Sequence, residues 1–169
     1  MPDNLNRHII IDVKVGFRKS ESLYISITAG ALIDTGAGRS CISKQLANEL
    51  GLQSVKDVDI ITATRKETVP HYTGIDLILS NFNGIEKIYK NIEVEECLGN
   101  VQPRYDFVIG MDILSTGDMI ISNANNIMTF SFRTPSGKTH IRFNIENGEI
   151  CDDISPSLQN IINNCTPQY

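Results

Sequence analysis

The chain alternates between short apolar runs and polar breaks. Runs such as HIIIDVKV (8–15), SLYISIT (22–28), ALID (31–34), VDIITAT (58–64), GIDLIL (74–79) and IEKIYKNIEVEE (85–96) are rich in Ile, Val, Thr and Tyr. Further on come DFVIG (106–110), MIIS (119–122), IMTFSF (127–132) and THIRFNI (139–145). Alternating β-branched and aromatic residues, bounded by Gly, Asn, Pro and Ser, predict strands, and many short strands predict an all-β sandwich or barrel. The segments NFNG (81–84) and TPSG (134–137) sit between such runs and predict hairpins.

Helical periodicity is confined to three short places. In SKQLANELGL (43–52), Ser43 can cap, Leu46, Ala47 and Leu50 share one face, and Gly51 can end the helix. In GMDILSTG (110–117), Asp112 is placed to cap a single turn that Gly117 ends. In SPSLQNIINNC (155–165), Ser155 caps, Pro156 takes the first helical position, and Leu158, Ile161 and Ile162 form an apolar face. The organisation expected is a β core over residues 8–132 and an extension over 133–169 made of a hairpin and a helix.

A length of 169 residues suits one domain, and 41% hydrophobic with 21% charged residues is ordinary for a folded protein. A net charge of −5, with basic residues scattered, removes the electrostatic attraction on which nucleic-acid binding mostly rests. Nucleic acid is not an expected partner. The amino terminus lacks a signal-peptide pattern and no run is long and apolar enough for a membrane helix, so a soluble cytoplasmic protein without membrane association is expected. Cysteines at 41, 97, 151 and 165 form no CxxC pair, and His8, His71 and His140 are dispersed. Free thiols are expected, and no metal or cofactor. The acidic run EVEEC (93–97) is expected at a solvated strand edge, where charge prevents unwanted pairing.

The candidate chemistry lies in ALIDTGAGRSCIS (31–43), where an apolar run leads straight into an aspartate followed by very small residues. Asp-Thr-Gly alone would also suit a strand ending in a turn. Its context says more: SCIS starts another strand, and FVIGMDIL (107–114) supplies a later apolar strand, a glycine and a short helix. Together these resemble the retropepsin-type aspartic proteases, including the single-lobe versions of bacteria and retroelements. The resembling stretches are LIDTGAGRSCIS (32–43), VDIITATRKETVPHYTGIDLIL (58–79) and FVIGMDIL, and the order and spacing match from about Ile10 to Phe132.

The resemblance implies a closed single-lobe barrel and a polypeptide substrate. It implies that Asp34 is catalytic. Hydrolysis of this kind needs two carboxyl groups that share one proton, one polarising a water and the other donating to the scissile carbonyl. One such aspartate per chain implies a homodimer with the site on its twofold axis. Thr35 would then bond across the axis, Gly36 would let the substrate backbone approach, and Ala37 would keep the cleft wall small. Ala63, Thr64 and Arg65 would form the tip of a flap over the substrate, and Ile109 and Gly110 would support the loop from behind. Retroviral members pair an acid shortly after the loop with an arginine after the later glycine. Gly38 and Met111 stand there, with Arg39 and Asp112 one step along, so either those two pair or Asp112 caps its helix. A non-catalytic dimerisation or peptide-binding module would carry the same fold, and the charged Arg65, Lys66 and Glu67 favour it.

Overall fold

Alternation along the first strands sets the inside of the barrel. In β1 (Ile10–Ser20) the side chains of Ile11, Val13 and Val15 are buried while Asp12 and Lys14 face out. β1 runs antiparallel to β2 (Leu23–Ile33), with Ile11 opposite Ala31 and Val15 opposite Ile27. The computed structural model describes residues 8–62, 66–80, 86–98, 104–124, 127–133, 140–146 and 149–151.

After β2 the chain forms β3 (Cys41–Ile42), helix α1 (Lys44–Leu50), β4 (Lys56–Ile61), the long β5 (Lys66–Ser80) and β6 (Glu86–Glu96). Then come β7 (Phe107–Ile109), helix α2 (Met111–Leu114), β8 (Asp118–Ala124), β9 (Ile127–Arg133), β10 (His140–Glu146) and β11 (Glu149–Cys151). The first sheet has the order β1-β2-β7-β3-β6-β5-β4, and β1 also pairs with β5, from Val13 opposite Leu79 to Phe17 opposite Ile75. That second pairing closes six strands into a barrel and leaves β4 as a hairpin arm on the first part of β5. β5 serves both roles because it shifts register between Tyr72 and Ile75, where Gly74 has φ +75°.

Ile11, Val15, Ile42, Leu50, Ile75, Leu77, Phe107 and Ile109 fill the interior almost without exposure. Truncating any one of them to alanine is expected to cost about 2–5 kcal/mol. Helix α1 covers this core as its periodicity predicts. Ser43 Oγ accepts from the Leu46 N–H, Leu46, Ala47 and Leu50 are buried, and Gly51 ends the helix at φ +72°. The fold is the expected all-β, single-lobe closed barrel with short helices.

The second sheet has the order β11-β10-β9-β8 and begins at Asp118, directly after α2. A boundary at residue 132 therefore meets β9 near its end: Phe130 and Phe132 are buried in the barrel's core cluster, while the strand itself bonds to β8 and β10. The TPSG turn and the helix expected over 155–165 lie outside the described residues, as does NFNG; the strands flanking each turn do pair antiparallel.

Two local expectations are corrected. β6 lies between β5 and β3, so the acidic run ends inside the sheet, with Glu95 opposite Cys41 and Glu96 opposite Ile42. Asp112 does not cap α2: Gly110 occupies the cap position and Asp112 sits in the first turn.

Candidate active site

β2 and β3 follow one another in sequence but not in the sheet, because β7 is inserted between them, parallel to β2 and antiparallel to β3. The connection from Asp34 to Ser40 must therefore arch over the end of β7. The arch is made of small residues, and its backbone passes close over Gly110, whereas a Cβ added at Gly38 would meet open space. At Gly110, just beyond β7, a Cβ would lie 2.6 Å from the carbonyl carbon and oxygen of Arg39 and 2.9 Å from the oxygen of Ala37. Its backbone is extended (φ −94°, ψ −174°), so the requirement for glycine is steric and not conformational.

Backbone bonds tie the arch to what lies under it. The Asp34 N–H donates to the Ile109 carbonyl at 3.1 Å, and the Met111 N–H donates to the Ala37 carbonyl at 2.8 Å. Ser40 is fully buried and completes the brace: its hydroxyl donates to Asp112 Oδ1 at 2.7 Å and accepts from the Gly110 N–H at 3.1 Å. Asp112 Oδ1 also accepts from the Ile113 N–H. On the far side, Ser43 Oγ donates to Asp106 Oδ1, anchoring the start of α1 to the residue that precedes β7.

At the start of the arch the Asp34 carboxylate is half-buried, and its Oδ1 accepts the Gly36 N–H at 2.8 Å. It opens onto a cleft of about 480 Å³ whose walls include Leu32, Gly36, Ala37, Arg39, Cys41 and Val108. Ile60, Ile61 and Thr62, at the end of the β4 arm, overhang the same cleft, and Ile61 is 84% exposed. The arm is held by Lys66, whose Nζ lies 2.7 Å from Asp59 Oδ2, and by Thr68, which donates to Asp59 Oδ1. Those two hydrogen bonds, with the lysine charge, hold the Asp59 carboxyl below the usual aspartate range. Among the described residues, no three His, Cys, Asp or Glu side chains are grouped to hold a metal ion, and no helix is long and apolar enough to cross a membrane.

A family profile described as "gag-polyprotein putative aspartyl protease" matches residues 27–116, more than half of the chain, from within β2 through α2. The chain belongs to this retropepsin-like aspartic protease family. No curated protein matches it. Among solved structures, it is similar to a retropepsin-like aspartic protease from Rickettsia conorii, with 21% identity, a TM-score of 0.48, and coverage of 70% of this chain and 80% of that one. It is also similar to the retroviral protease-like domain of Ddi1 from Leishmania major, with 16% identity, a TM-score of 0.44, and coverage of 78% and 91%.

Within this family frame, the structure gathers Asp34, Gly36 and Ala37 on the cleft, leaves Thr35 exposed beside them, and puts Ile109 and Gly110 beneath the arch. Ala63, Thr64 and Arg65 lie outside the described residues. Arg39 does not pair with Asp112. Its Nε lies 3.6 Å from Glu95 and its Nη1 3.9 Å from Glu93, because β3 runs beside β6. Sequence reasoning missed the Ser40–Asp112 brace, the placement of Cys41 and Cys97 in one cleft wall, and Tyr105 beside them. Each depends on contacts between residues more than fifty positions apart. The available signal was weak: a serine among small loop residues, and two thiols without a motif.

Proposed function

We propose that the protein is an aspartic endopeptidase that works as a homodimer, with a water activated between two Asp34 carboxyl groups. The observation that carries this reading is the placement of Asp34: it starts a tightly braced arch, is held by the Gly36 N–H, and faces a cleft overhung by a hairpin arm. In the dimer one carboxylate polarises the water, and the other, protonated, donates to the scissile carbonyl as the tetrahedral intermediate forms. Two negative charges at that separation would repel strongly, which keeps one proton shared by the pair. Gly36 leaves its flank of the cleft open for the substrate backbone. The β4 arm supplies the apolar edge that would close over a bound peptide and exclude water.

The test is cleavage of denatured casein or a peptide library between pH 4 and 7 by the natural sequence and by Asp34→Ala. Loss of at least about 10³-fold in kcat/KM is expected for the variant. Cleavage that survives the substitution would remove Asp34 from the mechanism. A second reading, peptide binding without turnover, is favoured by the ion-paired and charged arm at Asp59 and Lys66. Saturable peptide binding with no cleavage product would establish it over the first.

A further inference from the structure

Two thiols meet in the wall of the Asp34 cleft. Cys41 lies on β3, two residues beyond Arg39, and Cys97 follows the last residue of β6. The parallel register sets Cys41 opposite Glu95, and the Cys97 N–H donates to the Ile42 carbonyl at 2.9 Å. Side chains alternate along a strand, so Cys41, Glu95 and Cys97 share one face. That face lines the cleft. Both cysteines are free and half-buried, and they line the same cleft wall from the paired strands β3 and β6. Neither is used by the proposed mechanism.

We propose that Cys41 and Cys97 are a peroxide-oxidisable thiol pair, and that their disulfide narrows the cleft and slows turnover. The order of events is part of the proposal: the first attack is assigned to Cys41, on the strand that continues the Asp34 arch, and the second to Cys97, whose thiol the neighbouring Cys41 and burial push up. Cys41 Sγ attacks one oxygen of hydrogen peroxide. The O–O bond breaks, the distal oxygen leaves as water with the thiol proton, and a sulfenic acid remains on Cys41. Cys97 Sγ then attacks that sulfur. The S–S bond forms, the S–O bond breaks, and the oxygen leaves as a second water with the Cys97 proton. Two thiols are oxidised and one peroxide is reduced to two waters.

Position gives the oxidation its consequence. The link would tie β3, which continues the Asp34 arch, to the end of β6, in a wall shared with Tyr105. Burial first, then the two thiols and Asp34, push the Tyr105 hydroxyl up, which marks how closely these groups share the cleft. The thiol chemistry stands independently of the peptidase reading, and only the effect on turnover rests on it.

The test treats the reduced protein with hydrogen peroxide and measures intact mass and non-reducing peptide maps, beside Cys41→Ser and Cys97→Ser. The expected result is a mass loss of two hydrogens, a Cys41–Cys97 linked peptide, no such link in either variant, and a dimedone adduct on Cys41 in Cys97→Ser. A link through Cys151 or Cys165, or two thiols that still alkylate after oxidation, overturns the pair. In the cleavage assay the oxidised protein should be slower by about tenfold or more and recover with dithiothreitol, since small displacements of a site cost this much. The doubly substituted chain should keep its own rate, whatever its level, before and after peroxide. A disulfide that leaves cleavage unchanged overturns the effect on the cleft. A reduced protein that forms the disulfide yet cleaves nothing refutes the peptidase reading and leaves the thiol pair standing.

Discussion

Replacing Gly110 with alanine probes the arch with a single methyl group. The extended backbone at Gly110 suits alanine as well as glycine, so no conformational strain accompanies the change. The added carbon would come to 2.6 Å from Arg39 and 2.9 Å from Ala37, well inside the 3.4 Å at which ordinary contact begins. Both neighbours are backbone atoms of the arch and cannot rotate away. Overpacking of this kind costs about 1–3 kcal/mol, and 2 kcal/mol lowers Tm by roughly 4–8 °C in a chain of this size. Relief can come only by lifting the arch, which carries Asp34 with it, so kcat should fall more than stability alone explains; a displacement near 1 Å costs on the order of 10²-fold. Gly38→Ala is the control, since nothing lies within 4 Å of the added carbon there. Urea and thermal unfolding, read beside peptide cleavage, decide the matter. A Gly110→Ala protein as stable as the natural sequence would refute the crossing geometry.

Two further perturbations test neighbouring parts of the same account. Ser40→Ala removes the acceptor of the Gly110 N–H and the donor to Asp112 in a fully buried position, and should lower unfolding free energy in urea by about 1–3 kcal/mol with an unchanged m-value; a shift within about 0.5 kcal/mol of zero would show the brace to be dispensable. Burial, then the hydrogen bond to Glu96 at 2.8 Å and its charge, push the Tyr72 phenol up to about 12. Because this lies above the ordinary value of 10.0, the neutral phenol supports the fold fully below that value and the support fades as pH rises through about 12. Phenolate absorbance, with Tyr72→Phe subtracted to isolate this tyrosine from the others whose phenols are also pushed up, should show a midpoint that falls in Glu96→Gln; an unchanged midpoint would remove Glu96 from the cause.

What the sequence disclosed was what local chemistry decides. Helix α1 was readable to the residue, because a serine cap, a three-residue apolar face and a left-handed glycine all act within one short stretch. The strands were readable from alternation, and the aspartate loop from its abrupt passage from Leu32 and Ile33 into small residues. The insertion of β7 between β2 and β3 was not, since it joins residues 31–33 to 107–109. The same distance hid the true partners of Arg39. Counting positions from the glycine suggested Asp112, whereas the register of β6 against β3 delivers Glu93 and Glu95. Asp112 in turn is claimed by Ser40, a buried hydroxyl that nothing in its neighbours announces. The acidic run was misplaced at an edge because charge argues for exposure, while β6 keeps Val94 buried and turns its glutamates toward Arg39 and Tyr72.

The most direct measurement is the stoichiometry with which the protein binds a peptide whose scissile amide is replaced by a hydroxyl-bearing tetrahedral isostere, followed by native mass spectrometry and calorimetry. A site shared by two Asp34 carboxyl groups predicts one isostere for every two chains, with binding lost in Asp34→Asn, because such groups bind the transition-state geometry most tightly. One isostere per chain, or binding indifferent to the substitution, would contradict it.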